Sequence, residues 1–444
     1  MAVTKPSYRE IDQAVLRTLE TPGFKYWLWI GFLFLLIVWG ALCWTRQIYE
    51  GLGVTGLRQP TMWAVYITNF VFWVGIAHSG TLISAILYLF RSRWRTAVYR
   101  CAETMTAFAV MTAGLFPMIH LGRVWFLYWL LPYPNQRALQ PNFRSPLVWD
   151  AFAVSTYLTV SIVFLFMGLI PDVANAREAS KGWRRVLYSV VSLGWQGTDE
   201  QWRHYSMLYL LLAGLATPLV LSVHSVVSWD FAMAQLPGWH STIFAPYFVA
   251  GAIFSGCALV LTLLIPMRRW LHLEEVVTLW HMDNLAKIVL FTSIIVSYSY
   301  ACESFMVWYT HDPFEMMTFH VRYMNYGFWI MIFCNCLAPL PLFSDRIRRN
   351  MPAVWVISIF VNIGMWFERF VIIAGSLSSN FVPSQWGPYQ ISITEFSITV
   401  GSFAWFLMLF SLFAKFLPIV SMTELKEGIG WLRQALREDS AEAA

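Results

Sequence analysis

Charge is what this chain has least of. Asp, Glu, Lys and Arg make up 12% of its 444 residues, about half the share expected of a soluble domain. With 58% hydrophobic residues, that deficit excludes a water-soluble enzyme and points to an integral membrane protein. Cysteine is also sparse. Cys43, Cys101, Cys257, Cys302, Cys334 and Cys336 are scattered through apolar runs without a CxxC pair. Packing is therefore expected of them rather than metal binding or disulfides. No His-x-x-x-His pair and no glycine-rich phosphate loop occurs, so no metal, flavin or dinucleotide site is expected within the chain. A cleavable signal peptide is not expected either, because residues 1–25 carry Lys5, Arg9, Glu10, Asp12, Arg17 and Glu20 in place of an apolar core. The net charge of +5 calls for no nucleic acid, since the basic residues gather at the ends of apolar runs.

Those runs dominate the chain. Ten are long enough to cross a bilayer, near 26–46, 62–90, 98–121, 147–171, 205–232, 243–267, 284–308, 322–343, 352–376 and 395–420. The segments between them alternate in charge. One set, with both termini, holds 23 of the 30 Lys and Arg; the other holds six, and Arg369 lies inside a run. This asymmetry places both termini in the cytoplasm, and a bacterial inner membrane is the expected location. Before the first run, Ile11, Val15 and Leu19 recur every four residues and predict a short amphipathic helix on the membrane surface.

The chain also repeats itself. Gly75-Ile76-Ala77-His78-Ser79-Gly80 returns 176 residues later as Gly251-Ala252-Ile253-Phe254-Ser255-Gly256. Four spans separate the copies, so they share one orientation. The expected architecture is all-α: ten transmembrane helices, arranged as two parallel-repeat four-helix bundles (spans 2–5 and 6–9) flanked by spans 1 and 10. In segments this reads as 1–25 amphipathic, 26–61 span 1 and its outer loop, 62–235 first bundle, 236–376 second bundle, 377–420 outer loop and span 10, and 421–444 cytoplasmic tail.

An ionisable group inside a membrane is costly and marks function by default. His120, Arg123 and Asp150 fall at the outer ends of spans 3 and 4, and His224 and Asp230 in the outer part of span 5. Glu303, Glu368, Arg369 and Glu395 share that outer half. Adjacent on a helix, Glu368 and Arg369 face different ways, so Arg369 is expected to pair with a carboxylate on another helix. His78, Glu103 and Asp172 lie toward the cytoplasm; with Glu303 they are candidates for a proton path. The loop 122–146 is rich in rings (Trp125, Phe126, Tyr128, Trp129, Tyr133), which suit the interface and can wall a flat ligand.

The stretch from His120-Leu121-Gly122-Arg123 to Phe143-Arg144-Ser145-Pro146-Leu147-Val148-Trp149-Asp150, with the segment 204–256, resembles the NrfD/polysulfide-reductase membrane-subunit family. It is most similar to the ActC branch found in bacterial alternative complex III. The resemblance implies quinol oxidation at the outer face, with menaquinol as substrate and no cofactor bound within this chain. It implies partners too: an iron–sulfur subunit, a multihaem cytochrome c subunit, a second NrfD-like membrane subunit and small membrane subunits. Carried onto this sequence, the quinol site would comprise His120, Asp150, Asp230 and Arg369, with Arg123 and His224 nearby. Three other readings stay open: a structural anchor without quinone, a b-type cytochrome ligated by His120 and His224, and a transporter.

Overall fold

A computed structural model describes residues 7–131 and 143–430, together with 432 and 434. The chain is helical, and ten helices among the described residues are long and apolar enough to cross a membrane. Spans 1 to 5 are Phe24–Glu50, Val65–Leu89, Tyr99–His120, Pro146–Ala179 and Asp199–Ala232. Spans 6 to 10 are Phe244–Trp270, Leu279–Thr310, Tyr326–Phe343, Met351–Gly375 and Ile393–Phe416. We call the side bearing the Arg- and Lys-rich connections the basic side and the opposite one the far side.

Local chemistry sets several of the helix starts. Thr198 with Gln201, and Ser392 with Glu395, form reciprocal capping boxes at spans 5 and 10. Each satisfies two backbone donors that a helix start leaves free. Pro146 opens span 4, where its missing N–H costs nothing. Glu395, expected among the outer charges, is spent on structure: its Oε2 accepts from the backbone of Ser392 (2.9 Å) and of Gly56 (2.8 Å).

Spans 2, 3, 4 and 5 pack in a ring, each against its sequence neighbour and span 5 back on span 2; spans 6 to 9 form a second ring. The rings meet where span 2 lies on span 6, through the two similar glycine segments. A Cβ on Gly256 would sit 2.4 Å from Ser79 Cβ, so only glycine allows this approach. Spans 1 and 10 pair outside the rings at Gly40 and Gly401, where a Cβ on either would come within 3.0 Å of the other's Cα. On the basic side each ring carries an Arg–Asp pair, with the partners exchanged. Arg100 meets Asp172 at 3.0 Å in the first, and Asp283 meets Arg348 at 2.6 Å in the second.

Four expectations need correction. Span 4 does not end at 171; it continues to Ala179, because Asp172 is held by Arg100 and Val173, Ala174 and Ala176 remain buried. The stretches around 183–191 and 313–323, expected as loops, are helices Trp183–Val191 and Pro313–Tyr323. The N-terminal helix Tyr8–Thr18 exists, but its apolar stripe faces protein instead of lipid. Ile11, Ala14 and Val15 are buried, and the helix packs on a C-terminal helix, Met422–Glu427, where the sequence suggests only a plain tail.

Candidate functional site

Asp150 is the fifth residue of span 4 and Asp230 the third from the end of span 5. The two spans run antiparallel side by side, so both residues arrive at the same depth on the far side. Each follows a tryptophan, and Trp149 meets Trp229 edge to face at 5.9 Å. The two carboxyl groups lie on neighbouring helices, on spans that pack against each other. Asp150 is 6% exposed, and neither of its oxygens, nor Asp230 Oδ1, has a hydrogen-bond donor as partner among the described residues. Two neighbouring carboxyl groups can share one proton, which is what this arrangement can do chemically. Phe231, next in the chain, packs on Trp239 (5.0 Å) and Trp63 (6.2 Å), and Trp239 is pinned by its Nε1 donating to Ile372 O at 2.6 Å. These rings meet edge to face and fix the far end of span 5 against the loop before span 6.

His120 ends span 3 on the same side. It is partly buried and its Nδ1 has no partner among the described residues. No hydrogen bond joins it to Asp150 or Asp230 among the described residues. The backbone just before it is fixed by Gln47 Nε2, which donates to Ile119 O at 2.8 Å, and Gln47 is held in turn by Tyr66 at 2.5 Å. Arg123 is exposed. In the aromatic loop, Trp125, Tyr128 and Trp129 are about half exposed and turn to the surface; Tyr133 lies outside the described residues.

The other expected members gather elsewhere. His224, six residues before Asp230 and so ~9 Å deeper along the helix, stands against His78, with ring centroids 4.6 Å apart. His78 also stacks on Tyr157 at 5.0 Å, and both histidines are buried. Among the described residues neither nitrogen of His224 has a hydrogen-bond partner, nor does His78 Nε2. A haem ligated by two imidazoles must fit, with its iron, between the two rings. The 4.6 Å contact leaves no room for a haem between His78 and His224.

Arg369 belongs with this deeper group. Its guanidinium lies 4.0 Å over the Phe248 ring, and Phe248 in turn packs on His224. Contrary to the sequence expectation, Arg369 pairs with its own neighbour: Nη1 lies 2.9 Å from Glu368 Oε1. The long side chain swings back along the helix, and Gly251 on span 6 gives it room, since a Cβ there would meet Nη2 at 3.1 Å. Tyr300 donates to Glu368 Oε2 and accepts from Asn335 Nδ2 (2.8 Å).

A third group closes the basic end of the first ring. Arg100 spans Asp172 (3.0 Å) and Glu103 (3.8 Å), all three buried. Tyr209 donates to Glu103 Oε1 at 3.3 Å. Glu303, expected on the same route, is instead ion-paired with Arg322 (3.0 Å) in the second ring. Arg322 also donates to Gly238 O at 2.6 Å, and Glu315 accepts from Gly238 N at 2.9 Å, so these charges clamp the loop before span 6. Burial raises the Glu315 carboxyl above its ordinary value, against the pull of the Gly238 N–H. Among the described residues no group of three or more His, Cys, Asp or Glu is placed to hold a metal.

Comparison with known proteins fits this frame. A protein of Halobacterium salinarum, provisionally named as a membrane subunit of a dimethyl sulfoxide reductase, is 28% identical over 398 residues, 84% of this chain and 87% of its own. The integral membrane subunit of a menaquinone reductase from Nitratidesulfovibrio vulgaris is 22% identical over 427 residues, 89% of this chain and 92% of its own. A selenate reductase subunit of Mesobacillus selenatarsenatis is 23% identical over 224 residues, about half of each chain (49% and 51%). Residues 53–380 match the family described as polysulphide reductase, NrfD. With ten apolar helices and that match across most of its length, the chain is an integral, multi-pass membrane protein of the NrfD family.

Proposed function

We propose that the chain is the quinol-handling membrane subunit of an electron-transfer complex of the alternative complex III kind. In this reading it oxidises menaquinol on the far side and passes two electrons to an extrinsic iron–sulfur subunit, from which they reach a multihaem cytochrome c. A second NrfD-like subunit and small membrane subunits complete the assembly. The observation that carries the reading is the pair of carboxyl groups, Asp150 and Asp230, without a hydrogen-bond donor among the described residues, at one depth beside the Trp149–Trp229 contact. Oxidising a hydroquinone releases two protons with the two electrons. The carboxyl pair takes one proton, and the free Nδ1 of His120 accepts the other. Asp150 and Asp230 are thus the proton-accepting groups, and Arg369 acts from deeper in the bundle on the His78–His224 pair. The charge asymmetry of the connections supports a cytoplasmic basic side, with both termini there, in a bacterial inner membrane.

The proposal has a second element. Asp172, Glu103, His78 and His224 run from the basic side toward the carboxyl pair within one ring, and we assign them to a proton path. The two rings are, in the same reading, a parallel duplication in which only the first kept the chemistry. The name of the Nitratidesulfovibrio relative favours one variant, in which the same site runs in the reverse direction and reduces menaquinone.

The test is made on the purified complex. Menaquinone is expected to co-purify, and the wild-type complex is expected to exchange electrons with a menaquinol analogue. His120→Ala is expected to lower that rate at least tenfold, while a normal rate in the assembled variant removes His120 from the site.

A further inference from the structure

The basic end of the first ring is closed by the short C-terminal helix. Thr423 donates to Asp172 Oδ1 through both its backbone N (3.0 Å) and its hydroxyl (2.9 Å). One residue on, Glu424 Oε2 lies 2.6 Å from Arg95 Nη2, and both side chains are more than nine-tenths buried. Glu103 and Asp172 lie directly inside this layer, bridged by Arg100. Tyr209 donates to Glu103 Oε1 from span 5.

The closure is open to water on one face and leads inward on the other. On the outside, a cleft of about 420 Å³ is bordered by Thr423, Lys426, Glu427, Glu178, Trp195 and Trp202. On the inside, Glu103 Oε2 is buried without a hydrogen-bond partner among the described residues. It borders a cavity of about 10 Å³ that Thr81, Ser84, Thr106 and Ser161 also line, which is room for about one water. Beyond that cavity Thr81 Oγ1 bonds the Tyr157 hydroxyl (2.7 Å), and the Tyr157 ring stacks on His78. Thr81 and Tyr157 thus lead from the cavity to the face of the His78 ring.

We infer that Glu424, on the C-terminal helix, is the proton-entry group of the first ring: it receives a proton from water in the cleft by way of Glu427, three residues on at the rim and on the same helix face, and hands it to Glu103. The inference rests on the proton-path reading proposed above. A proton from water joins the Glu427 carboxylate and passes to that of Glu424; it then leaves for the Glu103 carboxylate, and Glu424, ionised again, re-forms its pair with Arg95. Burial raises the Glu424 carboxyl above its ordinary 4.5, with Arg95 opposing, and burial together with the charge of Glu424 does the same to Glu427 at the rim. Both shifts ease proton capture.

The test uses the whole complex in proteoliposomes, reading proton uptake from the basic side per electron transferred. Glu424→Gln is expected to abolish uptake from that side, as Glu103→Gln does, and Glu424→Asp to restore it. A wild-type ratio in Glu424→Gln, with loss in Glu103→Gln, overturns the entry role and leaves the path standing. Wild-type ratios in both overturn the path and the entry role together. Should Glu424→Gln not assemble, Glu424→Asp carries the test: slowed uptake with a shifted pH profile supports the inference, and an unchanged rate and profile overturn it.

Discussion

Replacing Gly256 with alanine tests the contact on which the two rings are joined. The added Cβ would sit 2.4 Å from Ser79 Cβ and 2.5 Å from Ile76 O, where ordinary contact begins at 3.4 Å. Turning the Ser79 hydroxyl away does not help, because its Cβ and a backbone carbonyl are the obstacles. Spans 2 and 6 must separate by about 1 Å, and forcing one carbon into a packed interior costs about 1–3 kcal/mol. At roughly 2 °C per kcal/mol for a large chain, the melting temperature in detergent should fall by about 2–6 °C. Gly214 on span 5 is the control. Nothing lies within 4 Å of the position its Cβ would take, so Gly214→Ala should be neutral or stabilising by up to ~1 kcal/mol through helix propensity. Equal melting temperatures for the two variants would refute the close crossing of the rings.

Other perturbations separate the remaining contacts. Arg369→Met strands Glu368 without its cation, at a cost of about 3–5 kcal/mol, whereas Glu368→Gln with Arg369→Met should cost much less; thermal unfolding of the two variants compares them. Because burial raises the Glu424 carboxyl in the folded chain, that state holds its proton more tightly than the unfolded one just above pH 4.5. Docking of the C-terminal helix should therefore weaken as pH rises through that window, and protection factors across 422–427 (exchange corrected for its intrinsic pH dependence) that rise with pH would contradict it. Cys101 and Cys257 are fully buried, so a maleimide should label them only after denaturation. An absorption spectrum of the purified subunit should show no Soret band, because the proposed quinol site needs no haem within the chain.

The ten spans are legible in the sequence because crossing a bilayer is a matter of length and hydropathy, which need no knowledge of neighbours. Depth is legible as well: Asp150 and Asp230 both fall on the far side from their places in two apolar runs. That they are neighbours is not, because pairing between helices depends on how spans 4 and 5 rotate about their axes. The signal that points to it is the repeated Trp-Asp dipeptide at 149–150 and 229–230. Depth alone also misleads, grouping His224 with Asp230 when its ring turns inward to His78. Treating side chains as short spokes about 100° apart puts Glu368 and Arg369 on different faces, yet a guanidinium on a flexible stem bridges that angle. The C-terminal helix is six residues long, too short for any periodicity to show.

The central claim is that Asp150 and Asp230 act as one proton-accepting unit for quinol. It is tested most directly by measuring menaquinol oxidation in the assembled complex for Asp150→Asn, Asp230→Asn and the double variant. Loss of a positioned acid–base group typically costs about 10²–10⁴-fold. Each single variant should therefore lose at least ~100-fold, and the double variant should lose little more than either. Wild-type rates in the single variants, or losses that simply multiply in the double, would contradict the account.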